Sequence, residues 1–334
     1  MTRDTLSDVL RSVRLRGAVF YYVSCGEEWA AEAPPSRAIA EAVMPGVEHV
    51  MEYHVVTKGS GWAAILGEPP VRLEQGDIVM FPHGDPHVMS SAPGLRPART
   101  DAEWMLAMRD EPKPVPVTYH NAEKYSLGAP SPGASTNLVC GFLGCDLRPF
   151  NPLVATLPRL LRVRAAGDGD WVAQVMQQAV NASQNRRPGA EAVLERMSEM
   201  MFVDAVRRYV DTLPGESGGW LAGLRDRHVG RALALLHGEP ARDWTIEALA
   251  GEVALSRSAL YDRFVQLVGQ PPMQYLTQWR MQLAAGLLRE TRAPVASVAL
   301  EVGYDSEAAF ARAFKRLTGT PPAAWRRERQ RRAA

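Results

Sequence analysis

Three histidines in the N-terminal half have the type and spacing of metal ligands. His54 lies in the run HVMEYHVVT, and His83 and His87 lie at the end of the run GDIVMFPHGDPH. Imidazole nitrogens bind zinc and other divalent ions. Two or three histidines without a carboxylate make a poor site, however. No metal or other cofactor is therefore expected, and His87 is interpreted as an ordinary pocket or turn residue.

Three cysteines are the other candidate reactive groups: Cys25, Cys140 and Cys145. Redox sensing needs an exposed thiol with thiolate character. The acidic neighbours of Cys25 in CGEEW disfavour its thiolate, and Arg148 is the only cation near Cys145. A redox role and a role as small buried apolar residues both remain open.

Binding of a small molecule is the competing role for this half of the chain. Aromatic residues, methionines and histidines in the same runs could line an apolar cavity, although such residues are usually core. The predicted pocket contains Tyr53, His54, Trp62, Phe81 and His87, with Trp29, Met80 and Met89 as further members.

The C-terminal part of the chain contains one element twice. AGEVALSRSALYDRFVQLVGQPPMQY, from Ala250 to Tyr275, returns as ALEVGYDSEAAFARAFKRLTGTPPAAW, from Ala299 to Trp325. Each copy predicts an apolar helix, a tight turn, a second helix with a basic face and a Gly-x-Pro-Pro stop. This is the pattern of a helix-turn-helix. Two copies in one chain predict two adjacent contacts with double-stranded DNA.

The second helix of each copy carries the candidate DNA-binding residues. Arg312 is the candidate for a guanine contact, which is worth about 1–3 kcal/mol of discrimination. Basic residues on the flanks are expected to bind phosphates, which orient the protein without specifying sequence. The predicted set is Arg257, Ser258, Tyr261, Asp262, Arg263, Glu307, Ala308, Arg312, Lys315, Arg316 and Arg326.

A helix predicted from about Met273 to Arg289 joins the two copies. At about 1.5 Å per residue it is roughly 25 Å long. A rod of this length can hold two recognition helices near one duplex turn apart, roughly 34 Å.

The spacing of apolar residues along the rest of the chain predicts the strands and helices that position these candidate residues. Short apolar runs between residue 18 and about residue 147 predict a β-sandwich or small barrel. Helical spacing begins at Pro152, and DTLPGESGGW, residues 211–220, is the predicted hinge. One helix has an apolar stripe that indicates either core or a dimer seam: Val193, Met197, Met200, Met201 and Val203.

Charge and composition agree with this division. Residues 221–334 hold 17 Lys+Arg against 11 Asp+Glu, whereas residues 1–220 hold 21 against 26. Positive charge therefore concentrates where the repeat lies, as expected for a surface that meets phosphates. The N-terminus lacks the apolar core of a signal peptide, and no run of 18 apolar residues occurs. These features predict a cytoplasmic protein with reduced thiols and no membrane partner.

Residues 244–327 resemble the DNA-binding domain of the AraC/XylS family of bacterial transcription regulators. The motifs are WTIEALA, SRSALYDRF, GQPPMQYLTQWRMQLAAGLL, ALEVGYDSEAAFARAFKR and GTPPAAWR. The resemblance implies that Ser258, Tyr261 and Asp262 read bases in the first copy. The acidic Asp262 departs from the commoner basic or amide residue. The first copy also has Ala254 where the second has Gly303, which predicts a less tight turn.

Residues 1–165 resemble the cupin-type sensor domains that precede this DNA-binding module. GDIVMFPHGDPH fits the second cupin motif, G-x5-P-x-G-x2-H. Metal-binding cupins bring a histidine pair and a glutamate from a first motif, but here Val56 replaces the second histidine and no glutamate follows in KGSGW. In an oxidant-responsive subgroup two cysteines carry the signal, and Cys25 and Cys140 occupy similar places.

The expected fold class is a two-domain α+β protein, with an N-terminal cupin-like β-barrel followed by helices and an all-α double helix-turn-helix. The predicted domains are a sensor at 1–165, a helical dimerisation segment at 166–212, a linker at 213–222 and a DNA-binding domain at 223–332. Its helix-turn-helix motifs are expected at about 245–266 and 295–317.

The expected function is a sequence-specific transcription regulator, preferentially an activator and not an enzyme. The predicted partners are promoter DNA, RNA polymerase and a second copy of the chain. The effector is a small molecule or an oxidant of unknown identity. The alternative is a metal-dependent cupin enzyme fused to a DNA-binding domain.

Overall fold

The computed structural model describes residues 4–333, apart from positions 98, 129–130, 132, 166–170, 185–187 and 215–217. The chain forms two compact packing units. The strand unit comprises residues 15–145 and 157–211, and the helical unit comprises 1–14, 146–156 and 212–334. The expected α+β class is confirmed. The packing units depart from the predicted linear boundaries, because residues 1–14 and 146–156 pack in the helical unit.

The strand unit contains two sheets. The larger has the order β11-β6-β3-β10-β1-β8-β9, and the smaller has the order β2-β7-β4-β5. Both contribute to one buried core, with Phe142 from the larger sheet and Met89 from the smaller. The strands are β1 (Arg16–Cys25), β2 (Ala30–Ala33), β3 (His49–Lys58), β4 (Ser60–Ile65), β5 (Val71–Glu74), β6 (Ile78–Phe81), β7 (His87–Ser90), β8 (Val115–Tyr119), β9 (Tyr125–Leu127), β10 (Thr136–Cys145) and β11 (Leu161–Val163).

The helices lie in both units. They are α1 (Thr5–Ser12), α2 (Ser36–Val43), α3 (Ala102–Ala107), α4 (Trp171–Gln184), α5 (Ala190–Thr212), α6 (Trp220–Arg225), α7 (Arg227–Gly238), α8 (Ile246–Glu252), α9 (Arg257–Val268), α10 (Pro272–Glu290), α11 (Val295–Glu301), α12 (Glu307–Thr318) and α13 (Pro322–Ala333). Helix α6 begins inside the predicted linker, whose residues 215–217 lie outside the described residues. Across the described part of the chain, no helix combines the length and apolar character that crossing a bilayer requires.

The pairing of β3 with β10 determines which side chains share a face. His54 is paired with Cys140 in this antiparallel ladder, and Glu52 with Phe142. Successive strand residues point to opposite faces. Glu52 and His54 therefore share a face with Cys140, and Tyr53 lies on the other face, where its hydroxyl is 2.7 Å from Ser198 Oγ of α5.

Two helix-turn-helix elements, α8–α9 and α11–α12, lie in the helical unit. Ser256 and Ser306 cap the second helices by accepting hydrogen bonds from the backbone N–H groups of Ala259 and Ala309. The inward-facing residues predicted for these helices, Leu260, Phe264, Phe310 and Phe314, are all 0% exposed. Helix α10 extends the predicted joining helix by one residue at each end and has 19 residues, so it is about 28 Å long.

The turns of the two elements have the same backbone conformation. Ala254 has φ 57° and Gly303 has φ 83°, both in the left-handed region. The expectation of a less tight first turn was therefore wrong, because alanine adopts the strained conformation there. Gly303 is further constrained, since a Cβ there would lie 2.7 Å from Cα of Ala241 and 2.8 Å from its carbonyl oxygen.

Helix α10 is also held by α1 and by the segment that follows β10. The Gln282 side chain, 3% exposed, donates from Nε2 to the Ser12 carbonyl at 2.8 Å and accepts at Oε1 from Phe150 N–H at 3.0 Å. Arg289 forms an ion pair with Asp146, with 2.9 Å between Nη1 and Oδ2. We call this set of contacts the clasp. The joining helix thus contacts two segments that lead directly to and from strands of the other unit.

The two turns respond differently to substitution. Gly303→Ala is expected to destabilise α11–α12 by at least about 1–2 kcal/mol, the cost of a left-handed non-glycine residue, because overlap with Ala241 adds to that cost. Ala254→Gly removes the same strain at the exposed first turn, which stabilises the folded chain. Glycine also raises the conformational entropy of the unfolded chain, so the net change in the free energy of unfolding should be within about 1 kcal/mol. Hydrogen–deuterium exchange of the full chain, read on peptides from each element, measures both effects. Equal tolerance of the two substitutions would contradict this explanation.

Candidate functional sites

A polar cluster lies inside the strand unit. Glu52, His54 and His87 each offer a ligand atom, and these atoms lie within 4.8 Å of one another. The two histidine Nε2 atoms are 2.8 Å apart, and Glu52 Oε1 is 4.0 Å from His54 Nε2. We call these three residues the interior cluster. Strand β3 supplies two members through its alternation, and His87 is the first residue of β7.

The hydrogen bonds around the cluster define the histidine tautomers. His87 Nδ1 lies 3.0 Å from the carbonyl oxygen of Asp85. A carbonyl only accepts, so His87 Nδ1 carries the proton and its Nε2 is a bare lone pair. His54 Nε2–H then donates to His87, and the Cys140 thiol, 2.9 Å from His54 Nδ1, donates to that nitrogen.

Burial keeps the cluster uncharged near neutral pH. Burial, aided by nearby Asp101, raises the pKa of Glu52 to about 8. Burial lowers the pKa of His87 to about 4 and holds the pKa of His54 well below its ordinary value. These directions follow from the cost of placing a charge in an apolar interior.

A cavity of about 40 Å³ adjoins the interior cluster. Its walls are mainly aromatic and apolar, with a second carboxyl group from Asp101. The lining includes Tyr21, Trp29, Glu52, His54, His87, Met89, Asp101, Trp104, Tyr119 and Cys140. A drug-sized ligand needs a cavity of about 300–1,000 Å³, so this space fits an ion or a few atoms.

The predicted pocket residues separate into two groups. His54 and His87 line the cavity together with Trp29 and Met89, whereas Tyr53 lies on the outer face of β3. Phe81 stacks on the His87 ring with 3.5 Å between centroids, and Trp62 stands under the Arg72 guanidinium. The third predicted histidine, His83, contacts the Leu157 carbonyl and is absent from the cluster that the described residues form.

Sequence reasoning missed Glu52 and Asp101. The first cupin motif places its glutamate after the histidines, whereas the carboxylate that reaches the cluster comes two residues before His54 on the same strand. Strand alternation was the available signal, because Glu52 and His54 share a face. Asp101 lies in a loop before α3, where it accepts from Trp104 Nε1 at 2.8 Å, and no sequence pattern indicates that placement.

The three cysteines are all buried, and none of them forms a disulfide. Burial raises the pKa of the Cys25 thiol and of the Cys140 thiol well above the ordinary value. Cys140 lines the cavity, Cys25 belongs to the surrounding core, and Cys145 ends β10. A thiol that is inaccessible and protonated is a poor nucleophile toward an oxidant.

The outer faces of α9 and α12 are open to solvent. Ser258, Asp262, Glu307 and Ala308 are exposed, and the Tyr261 ring is 44% exposed. On α12 three basic side chains are exposed and take part in no ion pair between described residues: Arg312, Lys315 and Arg316. These groups can meet phosphates and base edges without breaking an existing bond.

Three other arginines predicted to contact DNA are engaged within the helical unit. Arg263 Nε lies 2.9 Å from Asp226 Oδ2, and Arg257 lies 3.1 Å from Glu247. Arg326 donates to the backbone carbonyls of Leu288 at 3.1 Å and Ala293 at 2.6 Å. Arg326, on α13, therefore ties that helix to the end of α10 and to the loop before α11.

Comparisons with known proteins agree with both parts of this geometry. A family model described as cupin matches residues 4–211, and one described as a helix-turn-helix domain matches residues 249–328. An AraC-like transcription regulator of Streptomyces lividans is 32% identical over 330 residues, which cover 97% of this chain and 98% of that protein.

Two further relatives carry more specific names. The HTH-type transcriptional regulator AlkR of Acinetobacter baylyi is 26% identical over 329 residues, covering 97% of this chain and 99% of that protein. The RCS-specific HTH-type transcriptional activator RclR of Escherichia coli is 29% identical over 195 residues, covering 58% and 68% respectively. The chain belongs to the AraC family of DNA-binding transcriptional regulators, with a cupin domain ahead of its helix-turn-helix domain.

Proposed function

We propose that this regulator activates transcription by placing α9 and α12 in successive major grooves of promoter DNA. The observation that supports this most directly is the pair of equivalent helix-turn-helix elements with exposed outer faces, joined by the single helix α10. Its length of about 28 Å is close to the roughly 34 Å of one duplex turn. Activation requires contact with RNA polymerase, which is the second proposed partner. The name of the relative RclR, a transcriptional activator, supports activation over repression.

We propose that α5 pairs two copies of the chain. Val193 and Met200, seven residues apart on one side of this helix, are 53% and 57% exposed. Met201, on the neighbouring side, is 0% exposed and belongs to the core. The predicted apolar stripe is therefore divided between core and surface. Its exposed edge has the spacing of a helix–helix seam.

We propose that the signal is received in the strand unit, at the small cavity beside the interior cluster. Direct oxidation of a thiol is the weaker alternative, because Cys25 and Cys140 are buried and their pKa values are raised. The specific support for that alternative is the name of RclR, which describes it as RCS-specific. The relatives are regulators, so a catalytic role for the cavity is not proposed.

The clasp is the proposed route from the signal to DNA. Strands β1 and β10 pair at Arg16 and Gly144, so the chain enters one strand and leaves the other side by side. Directly beyond these ends the chain forms the segments that hold Gln282 and Arg289 of α10. A change in this strand pair is thereby passed to the helix that separates the two reading helices.

The two kinds of DNA contact on α12 are separable. Arg312→Ala is expected to relax sequence preference at one base pair by about 1–3 kcal/mol. Lys315→Ala should weaken binding to all sequences and reduce the salt slope by about 1, because a phosphate contact is lost. Fluorescence anisotropy against an operator selected from genomic fragments, and its single-base variants, measures both. An unchanged salt slope for Lys315→Ala would disprove the phosphate assignment.

The proposed dimer is tested by a charge on the exposed edge of α5. Met200→Glu should convert the full chain from dimer to monomer at micromolar concentration, because desolvating a carboxylate in an apolar seam is costly. Glu191→Lys is the control, since Glu191 is exposed on the side of the same helix opposite Met200. Sedimentation velocity gives the mass of each variant. A wild-type chain that sediments as a monomer contradicts the proposal.

Thiol reactivity distinguishes the two kinds of signal. Cys25 and Cys140 should react far more slowly with a thiol-specific dye at pH 7.5 in the native chain than in urea, because burial raises their pKa values. Mass spectrometry of labelled peptides measures each site. Rapid native labelling of Cys140, with an oxidant response of DNA binding that Cys140→Ala abolishes, would instead establish the oxidant mechanism.

A further inference from the structure

We infer that Arg280 is a positioning residue for DNA reading, which fixes the two helix-turn-helix elements relative to each other. Arg280 lies near the middle of α10, between the elements in sequence. We call the stretch of DNA that each recognition helix reads a half-site. The inference rests on the proposed function, in which α9 and α12 enter successive major grooves. It adds that the chain reads its two half-sites at one spacing only.

The guanidinium of Arg280 donates three hydrogen bonds to backbone carbonyls. Its Nε donates to Pro240 at 2.7 Å, and its Nη2 donates to Arg242 at 2.9 Å. Both acceptors lie in the loop between α7 and α8, which leads into the first helix-turn-helix element. Its Nη1 donates to Gly303 at 3.1 Å, in the turn of the second element. One side chain therefore links the two elements directly.

The two linked segments also lie in direct contact. A Cβ at Gly303 would be 2.7 Å from Ala241 Cα and 2.9 Å from Arg280 Nη2. So close an approach between two backbone segments is possible because glycine has no side chain. Ala241 lies between the two carbonyl acceptors of the α7–α8 loop. Backbone packing and hydrogen bonding thus meet at one place, which we call the junction.

Aromatic and acidic groups from both segments lie around the guanidinium. The Tyr304 ring centroid, in the second element, lies 5.8 Å from the guanidinium carbon of Arg280, and a cation and an aromatic face attract each other at this distance. Burial lowers the pKa of Arg280, whereas Tyr304, Asp243 and Asp305 act in the opposite direction. Asp243 lies in the α7–α8 loop, and Asp305 lies just before α12. The charge of Arg280 therefore attracts groups on both sides of the junction.

The geometry of arginine suits the junction better than that of lysine. A guanidinium is planar and carries five N–H donors in a fixed fork, so it can hold several carbonyls in a defined arrangement. The ammonium group of lysine is a compact charge on a flexible stem. Lysine at position 280 would keep the charge but would lose the planar fork that holds the carbonyls of both segments. Arg280→Lys is therefore the variant that separates geometry from charge.

A fixed junction has a direct consequence for DNA reading. Helix α10 sets the distance between the elements, and the junction adds a second connection that restrains their rotation. One additional base pair moves a half-site by about 3.4 Å along the duplex and rotates it by about 34–36°. Two elements that are held together cannot follow this change unless the DNA deforms, which has an energetic cost. The junction therefore predicts one preferred spacing of the half-sites.

Operators with altered spacing test the inference on the full chain. One base pair is added or removed between the half-sites of a selected operator, and affinity is measured by fluorescence anisotropy. The wild-type chain should lose at least about tenfold in affinity for either change. Arg280→Met should lose no more than about threefold, because its second element can follow the displaced half-site. Arg280→Lys should lie between the two, and Arg231→Met, which removes an exposed arginine of α7, should behave like the wild type.

A distance measurement without DNA tests the junction independently of operator binding. Nitroxide labels are attached at Gln266→Cys on α9 and Arg316→Cys on α12, because both positions are exposed whereas the three native cysteines are buried. Pulsed electron paramagnetic resonance should give one narrow distance distribution between the labels. Arg280→Met should broaden this distribution, and Arg231→Met should leave it unchanged.

The outcomes separate the inference from the proposed function. A spacing penalty that Arg280→Met and Arg280→Lys retain in full, or a wild-type chain that tolerates both changes of spacing, overturns the inference. Protection of a single major groove by the wild-type chain refutes the proposed function and, with it, the spacing preference. Affinity for DNA with one half-site randomised checks that each variant is folded. If Arg280→Met fails this check, Arg280→Lys takes its place in both measurements.

Discussion

The register between β3 and β10 is the constraint on which the interior of the strand unit depends. It sets His54 opposite Cys140 and Glu52 opposite Phe142. A slip of one residue would turn every side chain of β3 to the other face. Tyr53 would then enter the interior, and its hydrogen bond to Ser198 of α5 would be lost. Side chains on the two faces of one strand therefore fix the same register.

This register places polar, ionisable side chains in an interior that would otherwise contain only apolar side chains. A carboxyl group, two imidazoles and a thiol meet in surroundings that are otherwise aromatic and aliphatic. Hydrophobic replacements of similar volume would remove the desolvation cost of such groups. The cluster therefore lowers stability unless a ligand compensates for it. Its uncharged state, with low histidine pKa values and a raised glutamate pKa, is how the interior tolerates the cluster without a ligand.

The sequence predicted the elements with strong periodicity and missed those whose position depends on distant contacts. Repetition located both helix-turn-helix elements, and alternation located the long strands. Strands β2, β8, β9 and β11 have five residues or fewer and were missed, because none carries the clear apolar run that predicted the equally short β6 and β7. The segments 1–14 and 146–156 were assigned to the sensor because sequence order gives no sign of where a chain segment packs.

The candidate site residues show the same limit. Exposure of Arg312 and Lys315 follows from helical spacing, so the sequence sufficed for them. The partners of Arg263 and Arg326 lie 37 and 38 residues away, and no local pattern reveals them. Glu52 could have been predicted from the sequence, since strand alternation alone places it on the same face as His54. The cupin motif, in which histidine precedes glutamate, does not indicate a carboxylate at that position.

The clasp has a consequence for how the chain is assembled. The hydrogen bond between Gln282 and Ser12 joins residues 270 positions apart. Helix α1 is synthesised well before its partner on α10, and closing so long a loop carries an entropic cost. A fragment that starts at residue 212 would lack this helix and would expose the Tyr275 ring that Phe150 covers. The helical unit thus reaches its native packing only after the strand unit, which separates Ser12 from Gln282 in sequence, has been synthesised.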